Sequence, residues 1–557
     1  MGRMRAYLLT VAVLATAVYA QNPASPTEKK EPESRRVELP ASPGVQNPPL
    51  PKIELPEYII TGIISMNVPN VHKEDALETS RPVDVRAYHI TGSRERVTVE
   101  LENRQKESLL SGSRILNGQA TVSMANYFTP RVDVWLGQTM PDYDYRVSAG
   151  YHRTKGFVPH SDRSGGHMGI SGGLVFNSGA MEGSRLGGNA SYGTEVYRFY
   201  GSLVPATRRT VSNYRFGVSL APAPSNSFLL TPSLDYRYHG VTDSSAETQQ
   251  QRATVSLNAE LPLDAVTLLG SMTYDNASLS GAHSGHLTQF QLRLGTSRYW
   301  CNSIFVKGAV DFSAVKGMAG QRLSRVYPDV AAGYVIGGSH LASVSYTGGI
   351  GFTDLALQIK TNPYLSAGSV ILHPEKVRQI RLVVESDWSP VIRTTISASN
   401  ETVYNYGLMT DPLGSGIWSL SYGLAKFWSY RAEAFAKLTP NDYVSATVTV
   451  NSTEGAPGGR AVPYVPKFET AASYTHWFPF GLSVSPTISY QGVREAGFAV
   501  SQELPGFFLA GLRAEYEPIV PLTVFVDLHN ISNKKYELWK GYQAPPFMVT
   551  GGLSFRW

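Results

Sequence analysis

The clearest nucleophile pattern in the sequence is Gly169-Ile170-Ser171-Gly172-Gly173, which fits the G-x-S-x-G motif of a serine nucleophile elbow. That chemistry requires a strand, a sharp turn that exposes the serine, and a helix directly behind the turn. Here the motif lies in a glycine-rich run with strand-like alternation, and no helix signal follows it. We therefore interpret Ser171 as a coincidental match and predict that the protein is not an enzyme.

Histidine and acidic side chains give equally weak signals for a metal site or an acid–base pair. Only two residues separate His283 from His286, but their loop adds Asp275 alone, whereas zinc sites use three or four protein ligands. Asp142 and Asp144 share one face of a predicted strand, where the flanking tyrosines favour a membrane-interface role. The sequence also lacks a phosphate-binding glycine loop and an H-E-x-x-H motif. We predict no catalytic residues, no cofactor and no metal site.

Composition and charge exclude other classes of protein. The 557 residues include 51 glycines, 31 tyrosines and 8 tryptophans, and only 17% are charged. The formal net charge of +5 falls to +3 if Arg3 and Arg5 leave with an export signal, which is too weak and too dispersed for nucleic-acid binding. A single cysteine, Cys301, rules out an internal disulfide. After the first twenty residues no apolar run is long enough for a transmembrane helix.

The amino-terminal region divides into three predicted segments. Residues 1–20 have a positively charged start, an apolar middle and small residues at the end, which is typical of a signal peptide cleaved before Gln21. Residues 21–56 contain nine prolines among charged residues and serine, which predicts an extended or disordered periplasmic linker. Residues 57–118 mix short strand-like pieces and are expected to form a small periplasmic or lumenal element.

The last eleven residues carry the clearest strand pattern. One face of this strand is apolar, with Phe547, Val549, Leu553, Phe555 and Trp557 at alternating positions. Tilted by about 40°, eleven residues climb roughly 28 Å, close to the height of the apolar band of a transmembrane barrel. Such a strand would be an aggregation-prone edge in a soluble protein, but in a barrel it pairs with the first strand. We predict that it closes an outer-membrane barrel, with Leu553, Phe555 and Trp557 as the signal for the barrel-assembly machinery.

From residue 119 to 557 the sequence reads as consecutive hairpins. In 253–261, for example, Ala, Val and Leu alternate with Thr, Ser, Asn and Glu, and a turn at 262–265 precedes the return strand. The pattern alone fits a soluble sandwich as well as a membrane barrel, in which the apolar face contacts lipid and the polar face lines the lumen. The export signal, the number of hairpins and the terminal aromatic favour the barrel. At about 20 residues per strand and connection, roughly 18–22 strands fit.

The fold class is therefore predicted as all-β, a transmembrane antiparallel barrel formed by residues 119–557. Short turns such as 262–265 and 439–442 are expected on the periplasmic side. Longer polar or glycine-rich connections are expected on the outside, and we place them at 157–166, 242–250, 274–286 and 452–462.

Several stretches between Asn362 and Trp557 follow the order of motifs at the end of a known barrel family. These are Asn362-Pro363-Tyr364-Leu365, Gln379–Glu385, Val462–Phe468, Val526–Tyr536, Gly541-Tyr542, Pro545-Pro546 and the terminal strand. They resemble TonB-dependent receptors of Gram-negative bacteria, in which this order of asparagine, Lys-Tyr, Gly-Tyr, proline and terminal aromatic closes the barrel. The resemblance implies an outer-membrane location, transport and commonly about 22 strands. It implies no particular substrate.

An apolar, β-branched segment at residues 53–62 lies in a polar surround and suits addition as a strand to a partner. It resembles the segment through which TonB-dependent receptors contact TonB, their energising protein, and the candidate contact residues are Tyr58, Ile59, Ile60, Thr61 and Gly62. The alternative is the first strand of a small periplasmic element that binds another partner or none. The full plug domain of that family needs more chain than 57–118, so these residues form at most a reduced plug.

Transport is the predicted function: the barrel would pass or take up solutes across the outer membrane. The alternative is a structural or assembly barrel with a blocked lumen, which binds other proteins through its outer connections. Conductance in a lipid bilayer distinguishes the two.

Overall fold

A computed structural model describes residues 117–223, 227–243, 247–263, 266–282, 284–455, 458–497 and 502–557. The predicted signal peptide, the linker and the candidate contact at 58–62 lie outside the described residues. No helix of the described part is long and apolar enough to cross a membrane.

The described chain is built almost wholly from strands, with one short helix. The elements are β1 Gly118–Ala125, β2 Thr129–Thr139, β3 Tyr143–Thr154, β4 Arg163–Val175, β5 Arg185–Arg198, β6 Arg208–Ala221, β7 Leu229–Asp243, β8 Glu247–Pro262, β9 Thr267–Gly281, β10 Gly285–Thr296, β11 Tyr299–Cys301, β12 Ile304–Lys316, β13 Arg322–Ile336, β14 His340–Ile350, α1 Leu355–Thr361, β15 Glu375–Ser389, β16 Ile392–Thr410, β17 Ser419–Thr439, β18 Asp442–Gly455, β19 Phe468–Trp477, β20 Leu482–Gln491, β21 Arg494–Glu495, β22 Glu503–Leu504, β23 Phe507–Ile519, β24 Leu522–His529, β25 Glu537–Trp539, β26 Tyr542–Gln543 and β27 Met548–Arg556.

Twenty-three of these strands form one antiparallel sheet that closes on itself. The short β11 pairs with β12, as β10 does, so the closed barrel has 22 strands. β27 pairs with β1, and Gln119 Nε2 donates to Ser554 Oγ at 2.7 Å across this junction. Both the predicted all-β barrel of 18–22 strands and the pairing of the last strand with the first are confirmed.

The two faces of the barrel wall differ in polarity as predicted. On β8, Val255 and Leu261 are exposed on the outer face, whereas Thr254 faces the lumen and donates to Asp275 Oδ1 at 2.5 Å. On β27, Leu553 and Phe555 are similarly exposed. Apolar side chains exposed around the outside and polar ones within are the arrangement expected of a barrel that meets lipid.

Connections differ in length between the two ends of the barrel. β1 begins and β27 ends at one end, where turns such as 263–266 and 440–441 are short. The four longest connections, 351–374, 456–467, 492–506 and 530–547, all lie at the opposite end, which we call the outer end.

Two of the predicted long connections are wrong. β7 runs to Asp243 and β8 starts at Glu247, and β9 runs to Gly281 and β10 starts at Gly285. Their polar residues belong to strands, because polar side chains suit the lumen-facing side of a barrel wall. A polar stretch between two apolar ones therefore does not by itself mark a loop.

Candidate functional site: a loop inside the barrel

The longest connection, residues 351–374 between β14 and β15, lies inside the barrel, and we call it the lumen loop. Four of its buried apolar side chains are Leu355, Ile359, Ala367 and Ile371. They pack in one cluster with wall residues of β5, β6, β7, β9 and β10 and of the turn between β12 and β13, namely Tyr197, Val211, Val241, Ala277, Leu279, Leu287 and Met318. One connection of the barrel therefore occupies part of its own lumen near the outer end.

A short helix, α1, starts the lumen loop, and local sequence explains it. Asp354 is the N-cap: its Oδ1 accepts a hydrogen bond from Leu357 N at 2.8 Å. Leu355 and Ile359 are four residues apart and so share the buried face, while Leu357 on another face is 38% exposed. Asn362 ends the helix, with its N–H donating to Gln358 O at 2.9 Å.

Arg252 of β8 holds the start of the lumen loop. Its Nη1 is 2.9 Å from Asp354 Oδ2 and its Nη2 is 2.7 Å from Asp275 Oδ1, so it joins an acid of the loop to an acid of the wall. The guanidinium carbon lies 4.0 Å from the ring centroid of Phe352. Beside it, Gln250 Oε1 accepts from Leu355 N at 2.8 Å.

Arg209 of β6 holds the middle of the lumen loop and is fully buried. Its Nη1 donates to the carbonyl oxygens of Pro363 at 2.8 Å and Leu365 at 2.7 Å. Its Nε and Nη2 donate to Asp243 at 2.6 and 2.7 Å. Irregular backbone in a closed space needs partners for its carbonyls, and the five donors of arginine supply them from one side chain. The hydroxyl of Tyr197 donates to Pro363 O as well, at 2.8 Å.

His373 lies at the end of the lumen loop and is completely buried. Its Nδ1 accepts from Thr353 N at 3.1 Å, and its backbone N–H donates to Gln321 Oε1 at 2.8 Å. Its Nε2 has no hydrogen-bond partner among the described residues. Burial lowers the pKa of His373 to about 4, so the ring is neutral at neutral pH.

An aromatic cluster covers the lumen loop on its outer side. Tyr364 stacks on Tyr542 with ring centroids 3.5 Å apart. Around this pair, residues of five connections and one residue of β16, Met409, pack together: Leu365, Met409, Trp418, Tyr464, Ala496, Leu504, Trp539 and Tyr542. Burial raises the pKa of Tyr364, Tyr464 and Tyr542, so their hydroxyls stay protonated. The hydroxyl of Tyr542 donates to Gly416 O at 2.9 Å, and that of Tyr464 accepts from Trp418 Nε1 at 3.1 Å.

The residues that suggested catalysis or metal binding do not form such a site. Ser171 lies in the middle of β4, paired between Arg146 and Asn189, without the turn and helix of a nucleophile elbow. Asp144 forms a salt bridge with Arg185. His286 is the second residue of β10, and His283 lies outside the described residues. The described residues contain no group of three or more His, Cys, Asp or Glu side chains placed to hold a metal.

The predicted assembly signal lies on the outer face of the closing strand. Leu553 is 52% exposed, and Phe555 and Trp557 are each 46% exposed. The indole of Trp557 covers Gly118 on β1, where a Cβ atom would lie 2.3 Å from its ring. Recognition by the assembly machinery stays a prediction.

The sequence analysis missed the lumen loop. Asn362-Pro363-Tyr364-Leu365 lies inside this loop, and the matched stretch Gln379–Glu385 lies in β15, which begins at Glu375. A signal was present: Asp354 followed by Leu355 and Ile359 is a capped, helix-spaced pattern among strand patterns.

The barrel has the fold of known outer-membrane receptors and transporters. No family model matches the chain, and no curated protein matches its sequence. The FrpB iron transporter from Neisseria meningitidis superposes with a TM-score of 0.66 at 11% identity, covering 81% of this chain and 83% of FrpB. The siderophore receptor PiuA from Acinetobacter baumannii gives 0.62 at 10% identity, with coverage of 79% and 81%. The copper transporter OprC gives 0.64 at 13% identity, with coverage of 79% and 80%.

At sequence identities of 10–13%, the comparison shows the fold alone. It is the 22-strand barrel of TonB-dependent receptors, so the resemblance seen in the sequence is confirmed at the level of fold.

Proposed function

We propose that the protein is an outer-membrane transport barrel of a Gram-negative bacterium, in which the lumen loop is the movable closure. The observation that carries this proposal is an intact barrel with one of its own connections packed inside the lumen through non-covalent contacts. Similarity to proteins named as iron and copper transporters and a siderophore receptor supports transport as the activity.

The ion pairs of the barrel wall would allow the lumen loop to move out of the lumen and back. If the lumen loop moves away, Arg252 keeps its salt bridge with Asp275 and Arg209 keeps its salt bridge with Asp243. Neither arginine is then left as an isolated charge, which would be costly. The 22 strands pair with one another and not with the loop, so the barrel itself is unchanged. These features describe a two-state closure rather than a permanent plug.

The amino-terminal segment supplies the proposed link to an energy source. We propose that residues 53–62 bind TonB or another periplasmic partner by strand addition, through Tyr58–Gly62. Deletion of 53–62 is expected to abolish energised uptake while leaving membrane insertion unchanged. Uptake that persists after this deletion would rule out the segment as the contact.

The conductance of the purified barrel in planar bilayers tests the transport proposal. The informative variant replaces residues 353–373 by a short Gly-Ser linker, because this removes the lumen loop and keeps β14 and β15. We expect steps of conductance from this variant and a largely closed wild-type barrel. Heat-modifiable migration on gels confirms that both forms are folded. A folded, inserted variant that never conducts would overturn the proposal.

A second function, a closed barrel that binds other proteins, has one observation in its favour. Leu203, Val204 and Leu413 are 76%, 60% and 86% exposed on two neighbouring outer connections, which are joined by a 2.9 Å hydrogen bond from Leu203 N to Ser415 O. Exposed apolar side chains that adjoin one another suit a protein contact. The absence of conductance in every inserted form of the barrel would favour this function.

A further inference from the structure

Two cationic side chains, Lys316 and Arg322, lie next to each other at the outer end of the barrel. They are the last residue of β12 and the first residue of β13, and they are partners in the register of that hairpin. Both side chains are exposed. Neither forms an ion pair or a side-chain hydrogen bond with another of the described residues. Their charges are therefore available to a ligand.

The alternation along β12 and β13 shows that both cations lie on the outer face of the wall. On β12, Val310 shares the face of Lys316 and is 52% exposed, whereas Asp311 lies on the other face and is buried. On β13, Val326 shares the face of Arg322 and is 62% exposed. The two cations thus continue the apolar outer face towards the outer end.

The position of the cations along the strands matches the headgroup layer of a membrane. The outward residues of β13 from Val326 to Ile336 are apolar or aromatic, and at a tilt of about 40° they span about 25 Å, the height of the apolar band of such barrels. Arg322 lies four residues beyond Val326, which places it about 10 Å above that band. Below the cations, the rings of Phe290 and Phe312 are in contact, with centroids 6.2 Å apart. Aromatic residues are typical of the membrane interface.

The surrounding outer face supplies no negative charge to the two cations. No outward residue of the neighbouring strands β9, β10, β12, β13 and β14 is Asp or Glu. Two other outward cations at this end are paired within the protein, Arg198 with Asp162 at 3.0 Å and Lys426 with Glu454 at 3.3 Å. The counter-charge for the unpaired cations has to come from outside the chain, and at this height the surroundings are lipid headgroups.

The turn between the two cations binds the end of the lumen loop. This turn, residues 317–321, connects β12 to β13. Met318 N donates to Ile371 O at 3.2 Å. Gln321 Nε2 donates to His373 O at 2.8 Å, and Gln321 Oε1 accepts from His373 N at 2.8 Å. Since the cations flank the turn on the outside, a ligand that bridges them also fixes the groups that bind the lumen loop inside.

We propose that Lys316 and Arg322 bind phosphate groups of an anionic lipid in the outer leaflet, and that the bound lipid stabilises the closed position of the lumen loop through the turn 317–321. Lysine binds phosphate as a point charge, and arginine binds it through two parallel hydrogen bonds. The lipid site itself needs only the membrane location of the barrel. The effect on the lumen loop rests on the proposed function, because it requires a loop that moves.

Titration of the purified full-length protein in neutral detergent with lipid A, a glycolipid that carries two phosphates, tests the site. Each cation near a charged lipid surface contributes about fivefold in affinity, so Lys316→Gln combined with Arg322→Gln should weaken binding roughly 25-fold. Lys426→Gln is the matched control, because Lys426 is an outward cation at the same end that already has a partner. This control should bind lipid A like wild type.

Three results would overturn the lipid site. The first is equal affinity of wild type and the double variant, and the second is equally tight binding of lipid A without its phosphates. The third is displacement of lipid A by an equal concentration of inorganic phosphate, which would show a site for a free anion. Heat-modifiable migration on gels checks that the double variant is folded. The two single variants, each expected to lose about fivefold, provide the same test if it is not.

The rate of proteolysis at Lys360, which is exposed on α1, tests the effect on the lumen loop. A lipid that binds only the closed form, at ten times its dissociation constant, should slow cleavage about tenfold in wild type and hardly at all in the double variant. If lipid A binds but the rate is unchanged, the effect on the loop is wrong and the lipid site stands. A barrel that lacks residues 353–373 and never conducts would overturn transport, whereas the affinity of wild type for lipid A is measured independently of conductance.

Discussion

At the residue scale, closure of the lumen depends on side chains of the wall that bind backbone of the lumen loop. Arg209 makes two such bonds and is fully buried, so it contributes where water cannot substitute. Arg237 also faces the lumen, but its side chain is 46% accessible. It forms a salt bridge with Asp235 of the barrel wall. The same residue type therefore binds backbone of the lumen loop at one position and forms a solvated ion pair within the wall at another.

Substitution of Arg209 by Met is expected to loosen the lumen loop. It leaves the carbonyl of Leu365 and the carboxylate of Asp243 without their arginine donor, and Pro363 O keeps only the hydroxyl of Tyr197. The loss is about 3–5 kcal/mol for a buried pair. Proteolysis at Lys360, on the exposed side of α1, should become faster in Arg209→Met, and bilayer conductance should appear. Arg237→Met is the matched control and should change neither. Equal effects of the two substitutions would contradict a special role for Arg209.

The buried ring of His373 makes closure sensitive to acid. Its pKa is near 6.5 in a free chain and about 4 in the closed protein, so the released loop binds more protons between these values. The contribution of His373 to the stability of the closed state is therefore fully present above pH 6.5 and decreases as the pH drops towards 4. Below pH 4 it decreases no further. The total loss is about 3 kcal/mol. Conductance of the wild-type barrel should rise from pH 7 to pH 4.5.

His373→Gln is the matched variant for this pH dependence, because glutamine can accept from Thr353 N but does not titrate. We expect its conductance to be nearly constant between pH 7 and pH 4.5. A variant that opens on acidification as readily as wild type would show that other groups carry the response.

At the scale of elements, the closing pair β1–β27 is where the two ends of the barrel sequence meet. Trp557 covers the bare backbone of Gly118, and Phe555 lies opposite Ala120 on the outer face. The terminal strand pairs with β1 and presents its apolar side chains on the outer face. Aromatic residues suit its last positions for this reason.

Replacement of both Phe555 and Trp557 by Ser is expected to lower assembly into the membrane. It removes two large apolar side chains from the lipid-facing side of β27, a loss of about 1.5–3 kcal/mol for each. The readout is the amount of heat-modifiable protein in the outer-membrane fraction. Ser256→Ala and Thr447→Ala, which alter only the lumen side, are the controls and should assemble normally. Normal assembly of the double variant would show that these aromatics are not the signal.

Elements with period-two patterning were predictable from the sequence, and the lumen loop was not. On β8 and β27 the type of each side chain, apolar or polar, indicates which face of the strand it lies on. The alternation along the strand is therefore enough to predict the strand and its orientation. The lumen loop depends on contacts such as Arg209 with Leu365, which are 156 residues apart in the chain. No local spacing carries that information. The capped helix that begins after Asp354 could be predicted from the sequence. Its position inside the lumen depends on packing against seven wall residues from five strands and a turn.

At the scale of the whole molecule, the lumen loop is held by contacts within the described barrel. Every lumen-loop contact described above comes from residues between Tyr197 and Tyr542. These contacts hold the lumen loop in place, whereas most of the predicted reduced plug at residues 57–118 lies outside the described residues.

Removal of residues 21–116 is therefore expected to leave the barrel closed. Conductance of this truncated form should match that of the full-length protein, since the lumen loop is retained. Combining the truncation with replacement of residues 353–373 should open the barrel as far as the loop replacement alone. If the truncated form conducts with its lumen loop intact, the amino-terminal residues contribute to closure directly. In that case a partner bound at Tyr58–Gly62 would open the barrel by moving the plug. If the truncated form stays closed, a partner bound there would instead have to act on the lumen loop.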